Sequence, residues 1–179
     1  MKKLIIFTLC MFLTFAVAQH AYAYALLGGK HKTNNITYTT RDFNGTYEKV
    51  GKQLGNAIAD WNATSTKITF SAHSGSTTTR PQIIIKSDDY GKTGWSGRAT
   101  NYREWVTTGD YVDSIVQGNL YYLDDYGAST VKGVWAHELG HALGLAHVNG
   151  SDKLMYDKDS RTVYKPTQDE INGVNSLYK

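Results

Sequence analysis

The sequence predicts an α+β fold: a twisted, mainly parallel sheet of about five strands packed on two long helices, with a further helix at the C-terminus. Three observations point there. Short runs rich in β-branched and aromatic residues recur through the first two thirds of the chain. Two long stretches have helical spacing of apolar residues instead. The order is strand, helix, several strands, helix, loop, helix, and 179 residues suit one domain with one core.

Residues 1–23 read as a segment outside the fold. Lys2 and Lys3 precede an apolar run over 4–18, and Ala21-Tyr22-Ala23 has the small-x-small pattern of a signal-peptide cleavage site. Cleavage is expected after Ala23, with Ala25 as second choice. The run is shorter than the roughly 20 residues of a membrane span. The domain is then 24–179, and the protein is expected to be secreted and extracellular. Losing the two lysines takes the net charge from +3 to +1, so charge offers no case for nucleic acid as partner. The single cysteine, Cys10, leaves as well, which excludes disulfides, thiol ligands and a cysteine nucleophile from the mature chain. The 41% hydrophobic and 20% charged composition is that of a globular protein.

Within the domain, residues 36–40 read as the first strand. Residues 47–61 have helical spacing, with Val50, Leu54, Ala57, Ile58 and Trp61 on one side and Asn44 or Thr46 as candidate cap. Residues 67–72 alternate as a strand, with Ile68 and Phe70 facing one way. Ile83-Ile84-Ile85, within 82–86, reads as a strand buried on both faces. Residues 88–97 form a loop, 98–105 an edge strand, and 114–123 another strand. Residues 129–143 are helical, and 148–166 an irregular polar loop. Thr167 caps a last helix through Leu177, with Glu170 completing a capping box.

The chemistry concentrates in residues 137–147. His137 and His141 stand four apart, so on a helix they lie about 40° apart on one face and can reach one metal ion. Glu138 projects toward the same side, free to act as a base. Trp135, Leu139, Ala142 and Leu143 project from the other side, toward the core. Gly144 can take the positive φ that ends the helix and turns the chain, after which His147 can swing back as third ligand. Three neutral imidazoles bind Zn²⁺ and leave a fourth position open. His31 and His73 read as surface or loop residues.

The run from His137 to His147 fits H-E-x-x-H-x-x-G-x-x-H, and the chain thereby resembles the metzincin zinc peptidases. Leu154-Met155-Tyr156 resembles their Met-turn at the matrixin spacing, although Asp157 stands where matrixins usually have proline. Residues 166–178 are similar to the matrixin C-terminal helix. Tyr24-Ala25-Leu26-Leu27-Gly28 with Ile36-Thr37-Tyr38 resembles the start of a matrixin catalytic domain. The resemblance implies that 24–179 is a zincin/metzincin-like metallopeptidase domain. In it His137, His141 and His147 bind one catalytic zinc, Glu138 is the general base, and Met155 is the apolar floor under the metal. Tyr156 and Tyr164 fall where that family builds the wall of the pocket for the residue after the scissile bond. The cysteine that silences the vertebrate enzymes has no counterpart, and no second, structural zinc is expected. Calcium is an option at Asp88, Asp89, Asp124 and Asp125.

The function expected is a zinc-dependent endopeptidase acting on protein or peptide substrates, as a monomer, with no membrane partner after signal cleavage. Two alternatives stay open: a zinc-containing binding or toxin-like module with vestigial activity, and a zinc hydrolase of a non-peptide amide.

Overall fold

The computed structural model describes residues 24–75, 78–104 and 109–179. The proposed signal peptide and Trp105, the end of the expected edge strand, lie outside the described residues. The fold is mixed α and β, with a five-stranded sheet. Its strands are β2 (Asn35–Phe43), β3 (Thr69–Ala72), β4 (Ile83–Asp88), β5 (Gly97–Arg103) and β6 (Tyr111–Asn119), in the order β3-β2-β4-β6-β5. Every pair is parallel except β5 with β6. β5 is therefore an antiparallel edge strand.

Helices α1 (Lys52–Asn62) and α3 (Ala128–Ala142) pack against each other and against the sheet. Trp61 and Trp135 are fully buried between these layers. The Trp61 Nε1–H donates to the Ala136 carbonyl at 2.9 Å, locking α1 to the middle of α3. Trp135 stacks on Phe43 at 5.9 Å between centroids. The apolar stripe predicted for α1 is buried as read, from Val50 to Trp61, as are Ile68 and Phe70.

Several boundaries differ from the sequence reading. A π-type turn over Tyr47–Gly51 precedes α1, and Thr46 caps it without a side-chain hydrogen bond. Ile83 and Ile85 are buried, but Ile84 is only half-buried. The strand is thus covered fully on one face, because both long helices lie on the same side. β6 stops at Asn119, and Leu120–Leu123 form a helical turn, α2. There the buried Asn119 side chain accepts from the Tyr121 N–H at 3.2 Å, and a side-chain cap outweighs the strand preference of two tyrosines. Its amide also donates to the Gly91 and Trp95 carbonyls, which pins the 88–97 loop.

The sequence reading missed a two-stranded sheet, β1 (Ala25–Leu26) with β7 (Leu145–Ala146). It ties the start of the domain to the chain just beyond α3. The final helix, α4 (Gln168–Leu177), carries the expected capping box of Thr167 and Glu170. His31, expected at the surface, is buried: its ring sits edge-on to Tyr111, and its Nε2 lies 3.1 Å from Ser114 Oγ. It comes inside because its segment bridges to β6, which places it under the sheet's lower edge. His73 is half-buried in the loop after β3.

Candidate metal centre and cleft

Helix α3 presents His137, Glu138 and His141, and buries Trp135, Leu139 and Ala142 beneath them. It stops at Leu143 because Gly144 adopts φ +106°, a conformation that L side chains rarely take. A side chain there would also collide with the Gly29 carbonyl. The reversal returns the chain through β7, and His147 faces the other two histidines.

Among the described residues, these three imidazoles form a group able to share one ion, with ligand atoms within 4.8 Å of one another. His147 Nε2 lies 3.2 Å from His137 Nε2 and 3.0 Å from His141 Nε2. Tetrahedral zinc at about 2.0–2.1 Å from each nitrogen would set them about 3.3 Å apart. The tautomers agree with this. His137 Nδ1 meets the Leu154 carbonyl at 2.8 Å and His141 Nδ1 the Leu145 carbonyl at 2.7 Å. A carbonyl only accepts, so each Nδ1 carries its proton and each Nε2 offers a lone pair toward the centre. Burial lowers the pKa of all three histidines, that of His141 to about 4, so the rings are neutral at neutral pH. Converging neutral lone pairs repel one another and suit a cation between them.

The supports are long-range. Leu145 is held by pairing with Leu26. The Met155 N–H donates to Glu170 Oε1 at 3.1 Å, and the Met155 carbonyl accepts from Val148 N–H at 3.0 Å. The α4 capping box therefore anchors the loop that carries Leu154. Met155 itself is buried under α3, where Gly140 lets its thioether approach so closely that a Cβ would stand 2.5 Å from the sulfur.

Glu138 is also buried, like His137, whereas His141 is half-buried and His147 exposed, so the histidine face is open to solvent on the His147 side. Gly97, the first residue of β5, lies directly over it: a Cβ there would come within 2.8 Å of the carboxylate oxygen. Burial pushes the Glu138 pKa up to about 8, opposed first by the Arg161 guanidinium. A bound dication would act in the same sense as Arg161.

A cavity of about 520 Å³ adjoins His137, Glu138 and His147 and runs past Trp95 and Tyr126 to Arg161. Tyr156 and Tyr164 do not line this cavity, and Tyr164 packs on Gly133 of α3. Arg161 was missed, since a lone arginine in a polar loop carries no pattern that marks it as buried. Asp88, Asp89, Asp124 and Asp125 do not gather into a group that could share one ion among the described residues. The first two accept local hydrogen bonds instead, Asp88 from Asn44 and Asp89 N–H, and Asp89 from Gly91 N–H.

Comparison with known proteins gives three findings. The matrixin peptidase family pattern matches residues 29–179. The chain is 47% identical over 49 residues to stromelysin-2 of Rattus norvegicus, across 25% of this chain and 10% of that protein. It is 49% identical over 49 residues to matrix metalloproteinase-27 of Homo sapiens, across 25% and 9%. The chain thus spans about a tenth of the length of these curated relatives. Among solved structures it resembles a chain of the GM1-bound form of the ECX AB5 holotoxin, with TM-score 0.58, 12% identity, and coverage of 88% and 89% of the two chains. At that identity the likeness concerns the fold.

Proposed function

The chain belongs to the matrixin family of zinc-dependent peptidases, and from that premise we propose that it is a secreted, monomeric endopeptidase with 24–179 as its catalytic domain. The observation that carries the proposal is the convergence of three Nε2 lone pairs beside a buried carboxylate. His137, His141 and His147 are the ligands that would hold the zinc, and Met155 supports them from below. Zinc at that position supplies Lewis-acid polarisation of a peptide carbonyl and makes the attacking water more acidic.

The remaining work falls to the chain. Glu138 takes the proton of the attacking water and passes it to the leaving amine. Its buried setting leaves it a better base than an exposed carboxylate. Among the described residues β5 is the edge of the sheet, and its outer side offers backbone groups to an extended peptide, which would lie as an added strand across the mouth of the cleft. Gly97, at the start of that edge, leaves the space above Glu138 clear.

The test is digestion of casein by zinc-loaded protein, with and without a chelator, beside Glu138→Ala. Cleavage that stops with the chelator and with Glu138→Ala supports the proposal. No cleavage, or cleavage indifferent to both, refutes it. Hydrolysis of non-peptide amides with casein intact would transfer the same site to a different substrate class.

A further inference from the structure

Arg161 is an unusual group to find beside a peptidase site. Its side chain is 3% exposed, yet it borders the cavity that opens on Glu138. Only Nη2 is engaged, 3.4 Å from the Tyr156 carbonyl and 3.4 Å from Asp159 Oδ1. Asp159 is itself divided, since its Oδ2 accepts from the Tyr126 hydroxyl at 2.9 Å. Arg161 Nε and Nη1 are buried with no hydrogen-bond partner among the described residues. Buried donors without acceptors are costly, and a guanidinium holds five N–H groups in a rigid fork shaped for a carboxylate. Such a group is retained where a ligand completes it.

We propose that Arg161 is the specificity residue of this cleft, selecting substrates with an acidic side chain next to the scissile bond. This rests on the endopeptidase reading above. The same cavity is bordered by His137 and Glu138, so a side chain that enters it would flank the bond cut there. Nε and Nη1 are covered in this structure, so a carboxylate entering the cavity would draw the guanidinium round to pair with that edge. Lys158 at the same cavity adds a second positive group, and Asp157 and Asp159 oppose it. Asp159 is already bound to Tyr126 and Arg161, so it competes only in part. An apolar side chain in the same place would leave the two nitrogens unpaired.

The experiment compares matched fluorogenic peptides that carry Glu, Gln or Leu at each position flanking one bond. The readout is the kcat/KM ratio of Glu to Leu within each protein, which does not depend on the fraction folded. The wild-type ratio should exceed one by about ten- to a hundredfold, the factor that charge-assisted hydrogen bonds carry. Arg161→Met should bring it to one or below, Arg161→Lys should keep part of it, and Asp159→Asn should raise it. A wild-type preference for Leu, an absent preference, or a Glu preference that survives Arg161→Met overturns the inference while leaving the peptidase intact. If no peptide is cut, the endopeptidase reading fails, and fluorescence anisotropy of the same peptides on the Glu138→Ala protein decides this one. Tighter binding of the Glu peptide that is lost on adding Arg161→Met and partly kept on adding Arg161→Lys supports it; equal binding of Glu and Leu peptides, or a preference that survives Arg161→Met, overturns it.

Discussion

Replacing Glu170 by alanine should weaken metal binding from a site that never touches the metal. Glu170 is 1% exposed. Its Oε1 accepts the Met155 N–H at 3.1 Å, and its Oε2 accepts the Thr167 N–H at 2.8 Å. Alanine leaves the buried Met155 N–H and the part-buried Thr167 N–H without this partner and removes half of the capping box. An orphaned buried donor costs about 1–3 kcal/mol, and loss of a cap about 1 kcal/mol. The losses overlap, so about 3 kcal/mol is expected, read as a shift in the urea midpoint of chelator-treated protein. The Met155 segment also carries Leu154, whose carbonyl fixes the His137 tautomer. Loss of such an outer partner typically weakens metal affinity about 10–100-fold. Competition with a zinc-binding dye measures that directly. Glu170→Gln keeps one acceptor and should show roughly half the stability loss. If Glu170→Ala lowers stability but leaves zinc affinity within about twofold, the coupling from α4 to His137 is refuted.

Other outcomes follow from the same geometry. Burial lowers the His31 pKa to about 4. Its proton is therefore taken up by the unfolded chain first, as pH falls from about 6.5 to 4, and stability falls by about 3 kcal/mol over that window. His31→Gln should make that part of the pH profile less steep, with His137 and His141 keeping the rest of the slope, measured by urea unfolding of metal-free protein; an unchanged slope refutes the assignment. Gly97→Ala puts a methyl against Glu138 and Val134 and should lower kcat by at least about tenfold, with zinc content unchanged by elemental analysis. Asn119→Ala unties the 88–97 loop and should cost about 2–3 kcal/mol, with faster amide exchange at Tyr90, whose N–H loses its acceptor. Zinc at 100-fold over its Kd should add about 2.7 kcal/mol of stability, and His147→Ala should abolish that gain in thermal melts.

What could be read from the sequence was local. The ligand spacing, the glycine that ends α3 and the Thr167–Glu170 box are all fixed within a few residues, and helical periodicity makes them visible. Strand existence was visible for the same reason, through apolar alternation. What escaped depends on parts of the chain that meet only on folding. The β1–β7 pair joins residues over a hundred positions apart, and neither dipeptide has a pattern of its own. His31 and Arg161 are buried by neighbours from elsewhere in the chain. Leu120–Leu123 misled because tyrosine favours strands, while the deciding Asn119 cap looks like any loop asparagine. Ile84 misled because an isoleucine run does not reveal on which side the helices will lie.

The orientation of the histidines shows how these two kinds of information combine. Helix α3 by itself places His137 and His141 on one face, but leaves each ring free to rotate and to protonate at either nitrogen. Those freedoms are removed by two carbonyls of separate origin. Leu154 is set by the Met155 loop and, through Glu170, by α4; Leu145 is set by β1. His147 is placed by Gly144 and by the bridge between Val148 and Tyr156. The motif therefore supplies the donor atoms, and the rest of the chain supplies the directions of their lone pairs. The Leu145 arm also packs on α4 at Gly173, so damage at Glu170 should loosen His137 first and His141 to a smaller extent. A metal ion bound there would draw β1, the Met155 loop and α4 together at one point, so that a single ion would stabilise a chain whose one cysteine, Cys10, permits no internal disulfide.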